Sequence, residues 1–405
     1  MNRASYIALS ATTVAAIVLA ACTPAATPAP ASAETVTIYS SLPLTGSSAG
    51  QTTTIVNAIN LALEQQTKGG LVCDGKVQIV YTSLDDATAA AGKWDAAKEQ
   101  ENANKAVADA STMVYIGTFN SGAARVSIPI LNQAGIVMIS PANTADDLTA
   151  GADTAKYYPN GTRNYTRVVA RDEFQGAFAA KWAAKLGAKN VYILDDTEIY
   201  GKGVADQFEK NAAANGLTVV GRDGIDGKAG DYKALATKIA GTSPDLIYFG
   251  GITQNNAGQL LKDIRAAGIS AMFMGPDGIL ESAFVEAAGA SVAEGVYGTV
   301  AGSPRAKLPE AGQKFYTDYK AKFNSEPEAY AIYGFEAASV AIKAISSVCK
   351  ADRAAILNAV YTTKDFSGAL GTWSFDANGD TNLIAMVGNV VKDGKWTEAP
   401  ADILP

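Results

Sequence analysis

The chain has 405 residues, 48 % of them apolar, with 33 Lys and Arg against 40 Asp and Glu and no histidine. Its net charge of −7 and its lack of any basic run exclude a phosphate backbone as a natural partner, so no nucleic acid is expected. Without histidine there is no Ser-His-Asp or Cys-His catalysis, the commonest metal ligand is missing, and neither cofactor nor metal is expected.

The N-terminal stretch carries Arg3 and then an apolar run from Ile7 to Ala21, too short and too interrupted for a membrane span. It ends on Leu19-Ala20-Ala21-Cys22, which resembles the lipobox of bacterial lipoproteins. The resemblance implies that residues 1–21 are a lipoprotein signal peptide and that Cys22 carries lipid. Residues 22–34 are rich in Pro, Ala and Thr and read as a semi-extended tether. An ordinary signal peptide cut after Ala33, with Cys22 incidental, is the alternative. Either way the chain is expected to be exported, and in the lipobox reading it is held at the outer face of a membrane. No second hydrophobic stretch reads as a span. The remaining cysteines, Cys73 and Cys349, form an even pair in an oxidising compartment and are expected to be bonded. Two separate buried thiols are the alternative. A bond would bring the end of the chain back to the domain where it began.

From Thr35 onward, short β-branched runs alternate with helical stretches rich in Ala, Lys, Glu and Gln. Strands are expected at 36–40, 77–81, 113–117 and 136–140, and helices at 51–66, about 89–110, and between the third and fourth strands. A turn-rich pause covers 141–162. Further strands at 190–194, 217–221, 245–249 and 271–274, each with a helix beside it, make a second sheet. Residues 308–323, 329–348 and 353–361 read as three consecutive helices, followed by strands at 372–375 and 383–391. This rhythm predicts βαβ units and two α/β lobes, with a ligand in the crevice at the strand carboxyl ends. The mature chain is long enough for two such cores. No internal sequence repeat is visible.

Five blocks then resemble, in order and spacing, the type I periplasmic solute-binding proteins of the leucine/isoleucine/valine kind, the capture subunits of ABC importers. They are Ser40-Ser41-Leu42-Pro43-Leu44-Thr45-Gly46; Ile116 to Gly122 with Met138 to Thr144; Tyr200-Gly201-Lys202-Gly203; Phe273 to Gly278; and Tyr330 to Ala337. The resemblance spans essentially the whole mature chain. It implies two doubly wound parallel-sheet lobes joined by three crossover strands near Arg167, Ala301 and Phe375. The N-terminal lobe would comprise 35–166 and 303–375, and the C-terminal lobe 167–302 and 376–405.

A free amino acid offers a carboxylate and an ammonium on one carbon. The carboxylate suits a helix N-terminus, and Ser121, between a strand and a helix, adds a hydroxyl. Read from the residues alone, Ser121 is more readily a plain N-cap, and it is the resemblance that turns it toward the ligand. The ammonium needs acceptors, which Ala142 offers through its carbonyl, Thr144 through its hydroxyl and Asp277 through its carboxylate. Asp277 is otherwise a solvated turn residue in Gly-Pro-Asp-Gly. Tyr200 is expected to close over the ligand as an apolar lid with a polar tip. Two departures from the family reshape the side-chain pocket: Ser47 to Gln51 lacks an aromatic residue, and Ile252 and Thr253 stand as pocket wall where the leucine binder has tyrosine.

Other strings carry less. Asp376-Ala377-Asn378-Gly379-Asp380 has its glycine too early for a calcium loop and reads as a tight turn. Asp195-Asp196 and Asp146-Asp147 read as solvated faces, and Arg125, Arg167 and Arg171 as surface ion pairs. The expected function is a monomeric receptor, not an enzyme, binding a small apolar or branched-chain amino acid and delivering it to ABC permease subunits. A signalling sensor, a binder of amides, urea or short organic acids, and a carboxylate or Ser-Lys hydrolase are the competing readings.

Overall fold

A computed structural model describes residues 33–405. Cys22, the expected signal segment and all of the tether except Ala33 and Glu34 lie outside the described residues. The described chain opens with β1 (Glu34–Leu42), α1 (Ala49–Gln66), the short β2 (Leu71–Val72), β3 (Val77–Asp85) and α2 (Ala96–Ala108). Next come β4 (Thr112–Gly117), α3 (Ser121–Gln133), β5 (Val137–Ser140), β6 (Tyr165–Arg167) and α4 (Asp172–Lys185). They lead to β7 (Asn190–Asp195), α5 (Ile199–Ala212), β8 (Thr218–Gly224), α6 (Lys233–Ala240), β9 (Leu246–Gly250) and α7 (Ala257–Ala266). Then follow β10 (Met272–Gly275), α8 (Ser282–Ala288), α9 (Ala290–Ala293), β11 (Tyr297–Ala301) and α10 (Glu310–Phe323). The end holds α11 (Ala331–Val348), α12 (Arg353–Tyr361), β12 (Phe366–Gly368), β13 (Gly371–Trp373), β14 (Met386–Lys392) and β15 (Lys395–Glu398).

The strands assemble into one sheet ordered β2-β3-β1-β4-β5-β6 and another ordered β15-β14-β11-β10-β9-β7-β8. The pairs β3-β1, β1-β4, β4-β5 and β5-β6 are parallel, as are β8-β7, β7-β9, β9-β10 and β10-β11. Each sheet therefore repeats one order, second-first-third-fourth-fifth, and each has its switch point between the first and third strands. The loops leaving β1 and β4 in one lobe, and β7 and β9 in the other, open there. Two-layer burial explains the strand sequences: β1 hides its last seven residues, and β4, β5 and β9 are buried throughout, as central parallel strands require.

The chain passes between the sheets after Arg167, after Ala301, and between Trp373 and Met386. The late helices return to the first lobe, where Ala331, Ala338, Val340 and Ile345 share one core with Val36, Ile38, Ile55 and Ile59. That return brings Cys73 and Cys349 together as a disulfide, with sulfurs 2.11 Å apart across 276 residues of sequence. α11 is long and apolar enough by composition to cross a bilayer, contrary to the expectation that no second stretch reads as a span. Its apolarity instead serves the first lobe's core, since 14 of its 18 residues are buried.

The expected helix at 89–110 begins only at Ala96. Alanine-rich sequence favours an earlier start, but Gly92 sits at φ +66° and Asp95 caps the helix, accepting from the Lys98 N–H at 3.0 Å. Residues 86–95 thus form a loop reaching toward the other lobe. Arg167 is not a surface residue: it is fully buried, bonds Asp380 Oδ1 at 2.6 Å and donates to the carbonyls of Asn143 and Ala145. Asp195 and Asp196 are likewise buried rather than solvated. Asp196 accepts the amides of Glu198 and Ile252 and the Asn255 side chain, fixing the loops at the second switch point. Residues 376–380 form the expected tight turn, with Asp376 accepting from the Asn378 and Asp380 amides.

Candidate ligand-binding site

The loops at both switch points meet around a small cavity lined by Phe119, Asn120, Ser121, Ala142, Thr144, Tyr200, Ile252, Asp277, Gly278 and Tyr330. The first-lobe wall is built by the turns after β4 and β5. Asn120 is the N-cap of α3, with no side-chain cap bond, and its buried Oδ1 has no partner among the described residues. Ser121 is the first helical residue rather than the cap. Its hydroxyl accepts from the Ala145 N–H at 3.3 Å, which leaves its own proton free. The free N–H groups of the first turn of α3 open onto the same wall, an arrangement suited to an anion.

Ala142 and Thr144 follow β5 on a turn held by Ser140 Oγ, which accepts the Ala142 and Asn143 amides at 3.2 and 2.8 Å. Both residues are buried. Opposite them, Asp277 is only 6 % exposed, so it is no solvated turn residue. Tyr200 donates to its Oδ1 at 2.9 Å and Tyr330 to its Oδ2 at 2.5 Å. Burial raises the Asp277 carboxyl, and the two phenols pull it back toward ionisation. The Tyr200 hydroxyl also accepts the Gly278 N–H at 3.0 Å. Tyr200 therefore braces the Asp277 turn, a tighter commitment than a free lid. Ile252 lines the cavity, while Thr253 stands behind it, its hydroxyl 3.4 Å from the Gly278 carbonyl.

Sequence reasoning did not single out Phe119, Asn120 or Tyr330 as site residues. Tyr330, from the first lobe, reaches across to Asp277 of the second, and Phe119 packs edge-on against it at 5.6 Å. Between the lobes, Lys93 pairs with Glu198 and bonds Asn255 Oδ1 at 2.6 Å, while the Trp94 indole donates to Glu198 at 3.2 Å. The Trp94 ring also lies on Gly122, where an added Cβ would stand 2.5 Å from it. On another side Gln51 Nε2 is 3.4 Å from Glu281, whose carboxyl is pushed up to about 7 by burial. The two lobes are thus closed on each other by polar contacts. Among the described residues no cluster of acidic or cysteine side chains could hold a metal ion.

A family model described as periplasmic binding protein matches residues 35–395. The chain belongs to the periplasmic binding protein family. Members of this family are extracytoplasmic binding proteins, not enzymes, and the two-lobed cleft described above is their α/β fold. Among similar family members is the Leu/Ile/Val-binding protein BraC3 of Rhizobium johnstonii, 31 % identical over 354 residues, 87 % of this chain and 90 % of that protein. The leucine-, isoleucine-, valine-, threonine- and alanine-binding protein of Pseudomonas aeruginosa is 28 % identical over 323 residues, covering 79 % and 80 % of the two chains. The solved structure of a leucine-binding protein, LivK of Thermotoga maritima, superposes with a TM-score of 0.79 at 26 % identity, covering 90 % of this chain and 98 % of its own. A solute-binding protein of R. palustris in complex with benzoate shares the fold, with a TM-score of 0.74 at 21 % identity over 90 % and 95 % of the chains.

Proposed function

We propose that this periplasmic binding protein is the capture subunit of an ABC importer, binding a small apolar or branched-chain amino acid between its lobes. The observation that carries the reading is the buried, doubly hydrogen-bonded Asp277 facing Ala142 and Thr144, beside the open N-terminus of α3. One end of the cavity suits a carboxylate and the other an ammonium, and Phe119, Ile252 and Tyr330 offer apolar surface between them. The names of the leucine-, isoleucine- and valine-binding relatives support the same ligand class.

In this reading Ser121 donates to the carboxylate, and Ala142, Thr144 and Asp277 accept from the ammonium. Tyr200 holds Asp277 in place, and Ile252, with Thr253 behind it, shapes the side-chain wall. The lobes, 35–166 with 303–375 and 167–302 with 376–405, hinge about the three crossovers, and ligand shifts them toward the closed state that the permease reads. Cys22 anchors the receptor by lipid to the outer face of the membrane, as a monomer.

Calorimetric titration of residues 34–405, refolded to strip carried-over ligand, against the twenty amino acids and small amides and carboxylates tests this. One-to-one binding of leucine, isoleucine or valine at about micromolar Kd or tighter is expected. Binding restricted to ligands without an amine would overturn the amino-acid reading while leaving the family intact.

A further inference from the structure

Asp172 opens α4 immediately behind the cavity wall. It is fully buried, and its N–H donates to the Thr144 carbonyl at 2.8 Å. Neither of its carboxylate oxygens meets a hydrogen-bond partner among the described residues. A buried carboxylate without a donor is costly and rare enough to need a cause. Its Oδ2 lies against Gly203 of α5, and the Thr144 hydroxyl, which lines the cavity, is the polar group near it on the ligand side.

The groups that face it do not neutralise it. Asp146 and Asp277 are acidic, and the phenols of Tyr200, Tyr248 and Tyr330 are neutral; the Tyr248 hydroxyl is itself buried without a partner among the described residues. Arg167 is nearby but committed to Asp380 and to two carbonyls. The neighbouring Arg171 is turned to Asp146, Glu173 and Asp380. Two carboxylates, Asp172 and Asp277, thus share one buried region, and among the described residues neither has a cation of its own. Either a proton or an incoming cation must balance the second charge.

We infer that Asp172 is the second carboxylate of the amine subsite, a positioning residue acting through Thr144, and that a ligand's ammonium enters by displacing a proton from it. The inference rests on the amino-acid reading of the cleft. In the empty site the Asp172 carboxyl keeps its proton; burial and the two neighbouring aspartates push it well above the ordinary range. When an ammonium arrives beside Asp277, the Asp172 O–H bond breaks and the proton leaves to solvent. The Thr144 hydroxyl then donates to the new carboxylate and turns its lone pairs toward the amine. The ligand class this selects is narrow: molecules with a protonated amine next to a carboxylate, bound with proton release.

Titrating the wild-type protein with L-leucine and L-isoleucine near neutral pH, in buffers of different ionisation enthalpy, counts that proton. A release approaching one proton is expected, and none for 4-methylpentanoate, the des-amino analogue of leucine. Asp172→Asn, which keeps the side-chain shape, should lose the release and about tenfold in leucine affinity, with the analogue unaffected. Amino acids that bind the wild type without proton exchange would overturn the role of Asp172 while the amino-acid reading survives. Binding of amine-free carboxylates alone would overturn both. The ligand-free protein gives an independent readout: at neutral pH the infrared band of a protonated carboxylic acid should be present in the wild type and weakened in Asp172→Asn. An unchanged band would overturn the inference even if no tested ligand binds.

Discussion

At the scale of single residues, the site depends on how Asp277 is held. A carboxylate that is 6 % exposed stays usable as an acceptor only while donors meet it, and here the donors are two tyrosines from opposite lobes. Tyr330→Phe removes the one that crosses the cleft. We predict a leucine affinity lower by about tenfold with the fold intact, since a hydrogen bond to a charged group contributes roughly 1.5–3 kcal/mol; an unchanged Kd by calorimetry would show that the bond is idle. Ser121, Ala142, Thr144, Tyr200, Ile252 and Asp277 were all legible in the sequence as candidates, and they line one cavity. They were legible through the resemblance to the solute-binding family: the local signals alone, a strand-turn-helix boundary and a Pro-Asp-Gly turn, read as a helix cap and a solvated turn. Tyr330 and Phe119 were not, because a tyrosine before an apolar helix looks like any core aromatic until the lobes are folded together. Arg167 and the Asp195-Asp196 pair were misread for the same reason: charge alone does not reveal burial beside a distant partner such as Asp380 or Asn255.

At the scale of elements, the 86–95 loop is where sequence and structure diverge most. Its alanines favour helix, yet Gly92 and the Asp95 cap stop the helix short, and the freed segment carries Lys93 and Trp94 to Glu198. Most other elements were legible because buried parallel strands and amphipathic helices leave strong periodic patterns; β6 and β11 entered only as crossovers implied by the resemblance, and short strands such as β2, β12 and β15 leave little. The Lys93 and Trp94 contacts to Glu198 join the two lobes, so any opening of the cleft breaks them, as a latch would. Lys93→Ala should therefore speed ligand dissociation severalfold in stopped flow and leave association nearly unchanged, about 1 kcal/mol of closed-state stabilisation being lost from a partly exposed pair. A slower association with unchanged dissociation would contradict a latch.

At the scale of the whole molecule, the two lobes share one strand order without sharing sequence, which places a switch point from each at the same crevice. The Cys73–Cys349 bond ties the first lobe's edge to its returning helix across 276 residues. Replacing both cysteines with serine should lower unfolding free energy by about 3–5 kcal/mol in urea melts, without altering ligand affinity. Stability should also depend on pH in an unusual direction. Glu99, Glu281 and Glu336 are buried and pushed up from 4.5 to about 7, so the folded state holds their protons more tightly than the unfolded chain does. Their contribution is present at acid pH and is lost as pH climbs from the ordinary carboxyl range through about 7. Thermal melts should accordingly show Tm falling by several degrees from about pH 5 to about pH 8, with Glu281→Gln flattening the decline.

In the proposed reading the cleft recognises an amine through Asp277. The most direct measurement is calorimetric binding of L-leucine and 4-methylpentanoate to the wild type and to Asp277→Ala. The substitution should lower leucine affinity by about 10–100-fold and leave the amine-free analogue within about twofold. Equal losses for both ligands, or none for leucine, would contradict it.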